Sequence, residues 1–350
     1  MSATTIKDIA RIANVAHSTV SRALAGSPRV NPETAERIRR IAEQCGYRTS
    51  AVGRSLATRR TRTVGVVVTN IADPFAATVV SGIEQAAGDD GYAVLLASSF
   101  ADPDRELRVV HALEERRVDG IIVTASRVGA LHVPKLSRMK VPVVLLNNQH
   151  PSEFVHSVMI ENVEASAEAT RYLIGLGHNR IGYIGDRNGR HSDTERFAGY
   201  RQALDSAELP FRPELVVHGD GTAESGREAM GRLIQLAERP TAVFCYDDMT
   251  ALGALREAHA NGLSVPGDIS VIGFDDLPMV EYAEPALTTV RQPMFAMGRM
   301  AMETMLDLLS GSESAHNVRV RGELIVRAST APRTGAGLCL ETTSMTAGSL

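Results

Sequence analysis

Along residues 5–47 the apolar positions recur three and four apart. Ile6, Ile9, Ala10 and Ala13 mark one face of a first helix. It opens at Thr5-Ile6-Lys7-Asp8, where Thr5 can accept from the amide near Asp8 in the manner of a capping box. Asn14 follows, a residue that tolerates left-handed backbone, and predicts a tight turn. Val20, Ala23 and Leu24 give a second helix from about His17, ended by Gly26-Ser27-Pro28. Asn31-Pro32-Glu33 supplies the cap, first-position proline and first-turn acid of a third. Ile38 and Ile41 form its stripe and Gly46 closes it. From residue 64 the period changes. Short continuous apolar runs at Val64–Val68, Ala93–Ala97, Gly120–Val123, Val143–Leu146, Ile181–Ile184, Ala242–Cys245, Ser270–Phe274 and Leu287–Val290 read as strands. Helical stretches such as 76–88, 104–116, 162–176, 195–206, 224–237 and 249–261 separate most of them. That alternation predicts an α/β fold with doubly wound parallel sheets covered on both faces. The pattern is too long for one comfortable core and predicts two lobes.

Charge changes the picture of the head. Residues 1–62 carry 12 Lys/Arg against 4 Asp/Glu, a net of +8, while the remaining 288 residues carry −12 within a total of −4. A basic head on an acidic body points to a polyanion as partner. A basic disordered tail would give the same charge, but the helical periodicity argues for a folded unit. Two helices joined by a very short turn, with a third behind them, have the layout of a helix-turn-helix, whose second helix enters the major groove. His17, Ser18, Ser21 and Arg22 occupy the polar face of that helix. Arg22 can pair bidentately with guanine, and His17 and Ser18 can read other base edges. Thr5, Thr19 and Ser21 are short donors suited to phosphates. Composition otherwise describes a soluble globular chain, with 44% hydrophobic and 22% charged residues. No apolar run reaches the roughly 20 residues of a membrane helix, and no apolar signal core opens the chain. Cys45, Cys245 and Cys339 lie far apart, as expected in a reducing compartment and without metal spacing. A cytoplasmic location with no membrane partner is the expectation.

The segment from Asp8 to Gly26, "DIARIANVAHSTVSRALAG", resembles the DNA-binding head of the lactose repressor/galactose repressor (LacI/GalR) family. The resemblance implies base reading by His17, Ser18 and Arg22. Two positions depart from the family pattern: Ala16 stands where a Ser cap is usual, and Asn14 where Gly is common. Residues 49–62, which include "GRSLATRRTR", fall where that family has a hinge helix that folds when two copies meet on operator DNA. There the resemblance places Ser50 as a cap, Leu56 as the minor-groove wedge and Arg54, Arg59, Arg60 and Arg62 against phosphates. Gly53, where Ala is usual, weakens the free helix by roughly 1 kcal/mol.

In open α/β sheets, ligands bind at the carboxyl ends of the strands. Those ends carry Asp73 and Phe75, Ser98, Asn147, Ser192 and Arg196, Asp247, Asp275 and Gln292. Carboxylates, amides and a guanidinium bind adjacent hydroxyls, and Phe75 offers an apolar face. Each residue alone can equally be a helix cap or a solvated loop, but together they suit a polyhydroxylated ligand in a cleft. The segments "RVDGIIV", "LGHNRIGYIG", "ERFAGYRQAL", "PTAVFCYDDMTALGAL" and "DISVIGFDD" resemble the periplasmic-binding-protein-like core of the same family. By that match Arg196, Asp247, Asp275 and Gln292 fall on effector-contacting positions, as do Phe75, Asn147 and Ser192. Asp247 stands where the family usually has Asn. Asp only accepts, so a ligand should present hydroxyl or amine donors to it.

No dinucleotide loop, P-loop, nucleophile elbow or metal-spaced cluster is present, so neither catalysis nor a cofactor is expected. Asp247-Asp248 could mimic a catalytic pair, but adjacent residues there point apart. The expected protein is a homodimeric regulator, a repressor of a pseudo-palindromic operator, controlled by a small carbohydrate effector. A purine- or nucleoside-responsive corepressor type and a soluble sugar-binding protein are the alternatives, and the basic head decides against the second. The expected organisation is a head at 1–48, a hinge at 49–62 and a two-lobed core at 63–330. Lobe one takes 63–160 plus 293–325, lobe two 161–292, and 331–350 form a disordered tail. Val79/Val80/Ile83 and Met297–Leu309 are candidate dimer surfaces or core.

Overall fold

The computed structural model describes residues 4–24, 26–47, 60–125, 141–147, 156–312 and 317–333. The head holds α1 (Ile6–Ala13), α2 (His17–Leu24) and α3 (Pro32–Gln44) around Ile9, Ala13, Val20, Ala23 and Ile38. The local signals act as read. Thr5 and Asp8 form a capping box, Asn14 turns at φ 51°, and the Asn31 side chain accepts from the Glu33 amide. Arg37 Nη2 donates to the Ala13 carbonyl at 3.1 Å, tying α3 to the end of α1.

The body begins with a clamp. The Asp119 carboxylate accepts from the Thr61 amide at 2.8 Å and from the Arg62 amide at 2.9 Å. Arg60 Nη2 donates to the Leu309 carbonyl at 2.6 Å, and Arg62 Nη1 to the Asp90 carbonyl at 3.0 Å. Arg60 and Arg62 thus each have one guanidinium nitrogen engaged by the body. The rest of the hinge, with Ser50, Arg54 and Leu56, lies outside the described residues.

Lobe one is built on β1 (Thr63–Val68), α4 (Pro74–Asp89), β2 (Ala93–Ser98), α5 (Pro103–Glu115), β3 (Gly120–Thr124), β4 (Val143–Leu146) and β5 (Ser157–Ile160). Lobe two follows with α6 (Asn162–Gly175), β6 (Ile181–Asp186), α7 (His191–Ser206), β7 (Val216–Gly219), α8 (Ala223–Ile234), β8 (Ala242–Cys245), α9 (Asp248–Ala260), β9 (Ser270–Asp275) and β10 (Thr288–Arg291). The chain then returns through α10 (Met294–Ser310) and β11 (Asn317–Val320) to lobe one, and through β12 (Glu323–Ile325) to lobe two. The sheet orders are β11-β5-β4-β3-β1-β2 and β12-β10-β9-β8-β6-β7, and all pairs are parallel except β10–β12. In each sheet the first strand lies between its second and third, so both lobes place their topological switch at the same end.

Four strands escaped the hydrophobic reading: β5, β7, β11 and β12. They are three or four residues long, and β7, β11 and β12 lie at sheet edges with exposed positions among them. Periodicity has too few residues to act on there. Because β12 pairs with β10, the chain rejoins the second sheet at Glu323, ahead of the boundary read at 325. Residues 326–333 stay attached to lobe two. Ser329 Oγ accepts from the Thr288 amide at 2.8 Å, His178 Nε2 lies 3.1 Å from the Ala331 carbonyl, and the Arg333 amide donates to the Leu176 carbonyl at 2.8 Å. The beginning of the expected tail is therefore fastened.

Helices α4 and α10 meet backbone to backbone. A side chain at Gly82 would strike the Phe295 carbonyl, and one at Gly298 the Val79 carbonyl. Val79, Ile83, Met297, Met302 and Met305 are fully buried in this packing, so they belong to the core rather than to a dimer surface.

Candidate functional site

Two polar surfaces stand out. The first is the outer face of α2, where His17, Ser18, Ser21 and Arg22 are exposed on successive turns while Val20 and Ala23 are buried. Thr19 is half-buried beside them. Thr5 is exposed, but its hydroxyl donates to Asp8 Oδ2 at 2.6 Å, so its proton serves the cap rather than an outside acceptor. The same bond, ahead of Arg11, holds the Asp8 carboxyl below its usual range. Exposed short polar side chains on a helix presented by a tight turn can reach into a groove.

The second is a cleft of about 400 Å³ between the lobes. Its walls come from the loops after β1, β2, β3 and β4 on one side and after β6, β7, β8, β9 and β10 on the other, as the switch-point rule requires. Of the residues singled out in the sequence, Asp73, Phe75, Asn147, Ser192, Arg196, Asp247, Asp275 and Gln292 line it. Ser98 does not. It ends an edge strand, outside the cleft lining, and its carbonyl accepts from Arg105 Nε at 3.1 Å. The loop beyond it reaches the cleft instead, through Phe100 and Ala101, both left-handed at φ 54° and 58°.

Arg196, on the first turns of α7, organises the floor. It is 3% exposed, so its charge needs protein partners. Nε donates to Asn162 Oδ1 at 2.9 Å, Nη1 to the Tyr246 carbonyl at 2.5 Å, and Nη2 lies 3.7 Å from Asp275 Oδ1. The guanidinium sits 3.6 Å from the centre of the Phe274 ring and 4.7 Å from that of Tyr246. Gln292 Nε2 donates to Asp275 Oδ1 at 2.5 Å, and Ser192 Oγ meets the Tyr246 hydroxyl at 2.8 Å. Asn162 Nδ2 completes the chain by donating to Glu195 Oε2 at 2.8 Å. Asp275 holds an uncommon backbone, φ 125°, that aims its carboxylate at Arg196.

The two carboxylates of Asp247-Asp248 point apart. Asp247 caps α9, accepting from the Thr250 amide at 2.7 Å, and faces the cleft. Asp248 is fully buried away from it, accepting from Thr289 Oγ1 at 2.6 Å and from the Leu277 amide at 2.8 Å. No catalytic dyad exists there. Burial raises the proton affinity of both, pushing Asp248 to about 7. It also raises Asp73, and it lifts Asp275 well above its usual range against the pull of Arg196.

Sequence reasoning missed Arg190, Tyr246, and the turn Asp220-Gly221-Thr222. Arg190 precedes α7, with Nε 3.5 Å from Asp186 Oδ2. Burial opposes its charge, but Tyr246 and Asp186 raise its proton affinity overall. Its position just before Ser192 and the neighbouring Tyr246-Asp247 pair were available signals. The turn could be found only by recognising β7. Among the described residues no group of His, Cys, Asp and Glu could hold a metal, and no helix is long and apolar enough to cross a membrane.

A three-helix head with an exposed reading face, joined to two switch-point lobes around a polar cleft, defines a DNA-binding protein with a ligand-binding core. Residues 5–50 match the bacterial regulatory proteins of the lacI family, and residues 170–330 match the periplasmic binding protein-like domain. The HTH-type transcriptional repressor CytR of Escherichia coli (strain K12) is 36% identical over 329 residues, 94% of this chain and 96% of that one. A solved complex of the transcriptional regulator CelR with cellobiose is 33% identical, covers 93% of this chain and 99% of its own, and gives a TM-score of 0.72. The lac repressor dimer bound to operator and the anti-inducer ONPF is 25% identical over 94% of this chain and 100% of its own, with a TM-score of 0.87. The chain belongs to the LacI/GalR family of transcriptional regulators.

Proposed function

We propose that this protein is an operator-binding repressor whose DNA affinity is set by a small polar effector, a sugar or sugar derivative, held in the interlobe cleft. The observation that carries the reading is the pairing, on one chain, of the exposed α2 face with the internally braced cleft floor. His17, Ser18 and Arg22 read bases, while Thr19 and Ser21 meet phosphates. Ser50, Arg54 and Leu56 act in the hinge. Asp73, Phe75, Asn147, Ser192, Arg196, Asp247, Asp275 and Gln292 contact the effector. The functional units are the head at 1–48, the hinge at 49–62 and the two-lobed core beyond. Two copies pair through their cores and present two heads to a pseudo-palindrome. Effector binding shifts the population between lobe arrangements and so changes the register of the heads.

The test is a gel shift of the full chain on DNA from upstream of its own coding sequence, with and without sugars and nucleosides. Specific retardation that changes with one of them is expected. No retardation beyond that of unrelated DNA would sink the reading. A response to nucleosides alone would move the effector to that class.

A further inference from the structure

The cleft floor has an imbalance that bears on which ligands it admits. Among the described residues two guanidinium groups line it, Arg190 and Arg196. Each already faces a protein carboxylate, Asp186 and Asp275 respectively. Arg196 also has Nε and Nη1 engaged, on Asn162 and on the Tyr246 carbonyl. Two further carboxylates line the cleft, Asp73 from lobe one and Asp247 from lobe two; among the described residues neither has a cation within 4 Å, and both share the more distant pull of Arg190, with Arg196 also acting on Asp247. Asp220 also lines it, but Arg187 balances that charge at 2.8 Å.

Helix amino termini at the cleft could offset this excess, since they attract anions. Three of them, on α4, α8 and α9, are already capped by the chain's own side chains, while α7 begins at the cleft without a side-chain cap. Asp73 accepts from the Phe75 amide at 3.0 Å on α4, Asp247 from the Thr250 amide at 2.7 Å on α9, and Thr222 from the Ser225 amide at 3.2 Å on α8. In each aspartate this engages Oδ1 and leaves Oδ2 as an acceptor. Gln292 adds a third acceptor. It is 2% exposed, its Nε2 is committed to Asp275, and its Oε1 is buried without a partner. A buried acceptor of that kind is costly unless a ligand donor completes it.

We infer that the cleft discriminates against anions: its effector is an uncharged or amine-bearing molecule with several hydroxyl or N–H donors, and the phosphorylated or carboxylated form of the same molecule is excluded. The inference rests on the ligand-regulated reading above and names the charge class of its effector. A phosphate or carboxylate here would meet four lining carboxylates, Asp73, Asp220, Asp247 and Asp275, against two lining guanidinium groups that each already face a protein carboxylate, and such like-charge contact in a buried site strongly disfavours binding. A polyol or an amine instead supplies donors to Asp247 Oδ2, Asp73 Oδ2 and Gln292 Oε1.

The experiment uses the full chain and matched probes: cellobiose with cellobionate, ribose with ribose 5-phosphate, glucosamine with glucosamine 6-phosphate, and cytidine with cytidine 5′-monophosphate. Thermal shift and operator affinity are both read. At least one uncharged or amine member should raise Tm and change operator affinity, with its anionic partner roughly tenfold or more weaker. In the Asp73→Asn/Asp247→Asn variant that ratio should shrink. An anionic member acting in place of its parent overturns this inference alone. A panel in which no member of either class acts overturns it together with the sugar-or-nucleoside reading. The wild-type ratio decides between these outcomes even where the double variant fails to fold.

Discussion

The two lobes share a strand order and differ in what they place at its mouth. Lobe two presents a buried electrostatic network in which Asn162, Arg196, the Tyr246 carbonyl, Asp275 and Gln292 hold one another, with Gln292 Oε1 left over as an acceptor. Lobe one presents loops whose polar groups serve their own backbone. The Asn70 side chain accepts from the Ala72 amide at 3.0 Å, Asp73 caps α4, and Phe100 and Ala101 turn the chain in left-handed conformation. Its stability comes from apolar packing, with α4 against α10 at glycine contacts. One topology thus supports two kinds of cleft wall: lobe two's is braced by its own side chains, and lobe one's takes its shape from the backbone of its loops.

Removing the hub of lobe two should have the largest consequence. Arg196→Ala leaves Asp275 and the Tyr246 carbonyl without their buried cation, and breaking such a pair costs about 3–5 kcal/mol. Thermal unfolding should show that loss, and operator binding should persist at permissive temperature without any effector response. A retained response would place the ligand on lobe one. Gly298→Val attacks lobe one instead, by forcing α10 away from the Val79 carbonyl. A loss of about 1–3 kcal/mol is expected, with effector selectivity unchanged, because no charged group moves. Altered selectivity there would blur the division between the lobes. Asp73→Ala removes the cap of α4 and one cleft acceptor, for about 1 kcal/mol of stability and a modest loss of effector affinity by calorimetry. An effect on affinity as large as that of Arg196→Ala would make lobe one an equal receptor.

A further expectation concerns pH. Asp248 titrates at about 7 in the folded chain against an ordinary 3.8, because burial disfavours its charge. The folded state therefore holds a proton that the unfolded state has lost. The resulting stability is complete below roughly pH 4 and declines as pH rises through about 7. Tm should fall over that interval, and Asp248→Asn should make the fall shallower. An identical slope in the variant would assign the pH response to Asp247 and Asp275, which shift in the same direction.

Much of this organisation was legible from residue spacing. Thr5, Asn14 and Asn31 act locally, through caps and turns whose chemistry the sequence states directly. The strand-end rule brought together every proposed cleft residue except Ser98, because long apolar runs fix where strands stop. Ser98 failed for a reason of degree: β2 runs on to it, one residue past the run read as Ala93–Ala97, and the cleft begins two residues later, at a left-handed turn that composition does not announce. Arg190 and Tyr246 were missed because they are placed by each other, through tertiary contacts such as the guanidinium 5.7 Å from the ring centre. The hinge arginines show the converse. Arg60 and Arg62 read in the sequence only as charges, and their bonds to the Leu309 and Asp90 carbonyls are tertiary contacts that spacing does not announce.

That clamp also fixes the route by which a bound molecule can be felt at the DNA. Twelve residues, 48–59, connect Tyr47 of the head to the anchored Arg60, a leash whose thirteen Cα steps can span at most roughly 45 Å. Its body end is tied at Asp119, Asp90 and Leu309, all in lobe one. The braced receptor lies in the other lobe, joined to the first by three crossings at residues 160–162, 291–294 and 320–323. A ligand seated on lobe two therefore has no direct grip on the leash. It must pull lobe one by bridging the cleft or by bending those three strands of chain, so a molecule too short to touch both walls would be bound and yet go unheard.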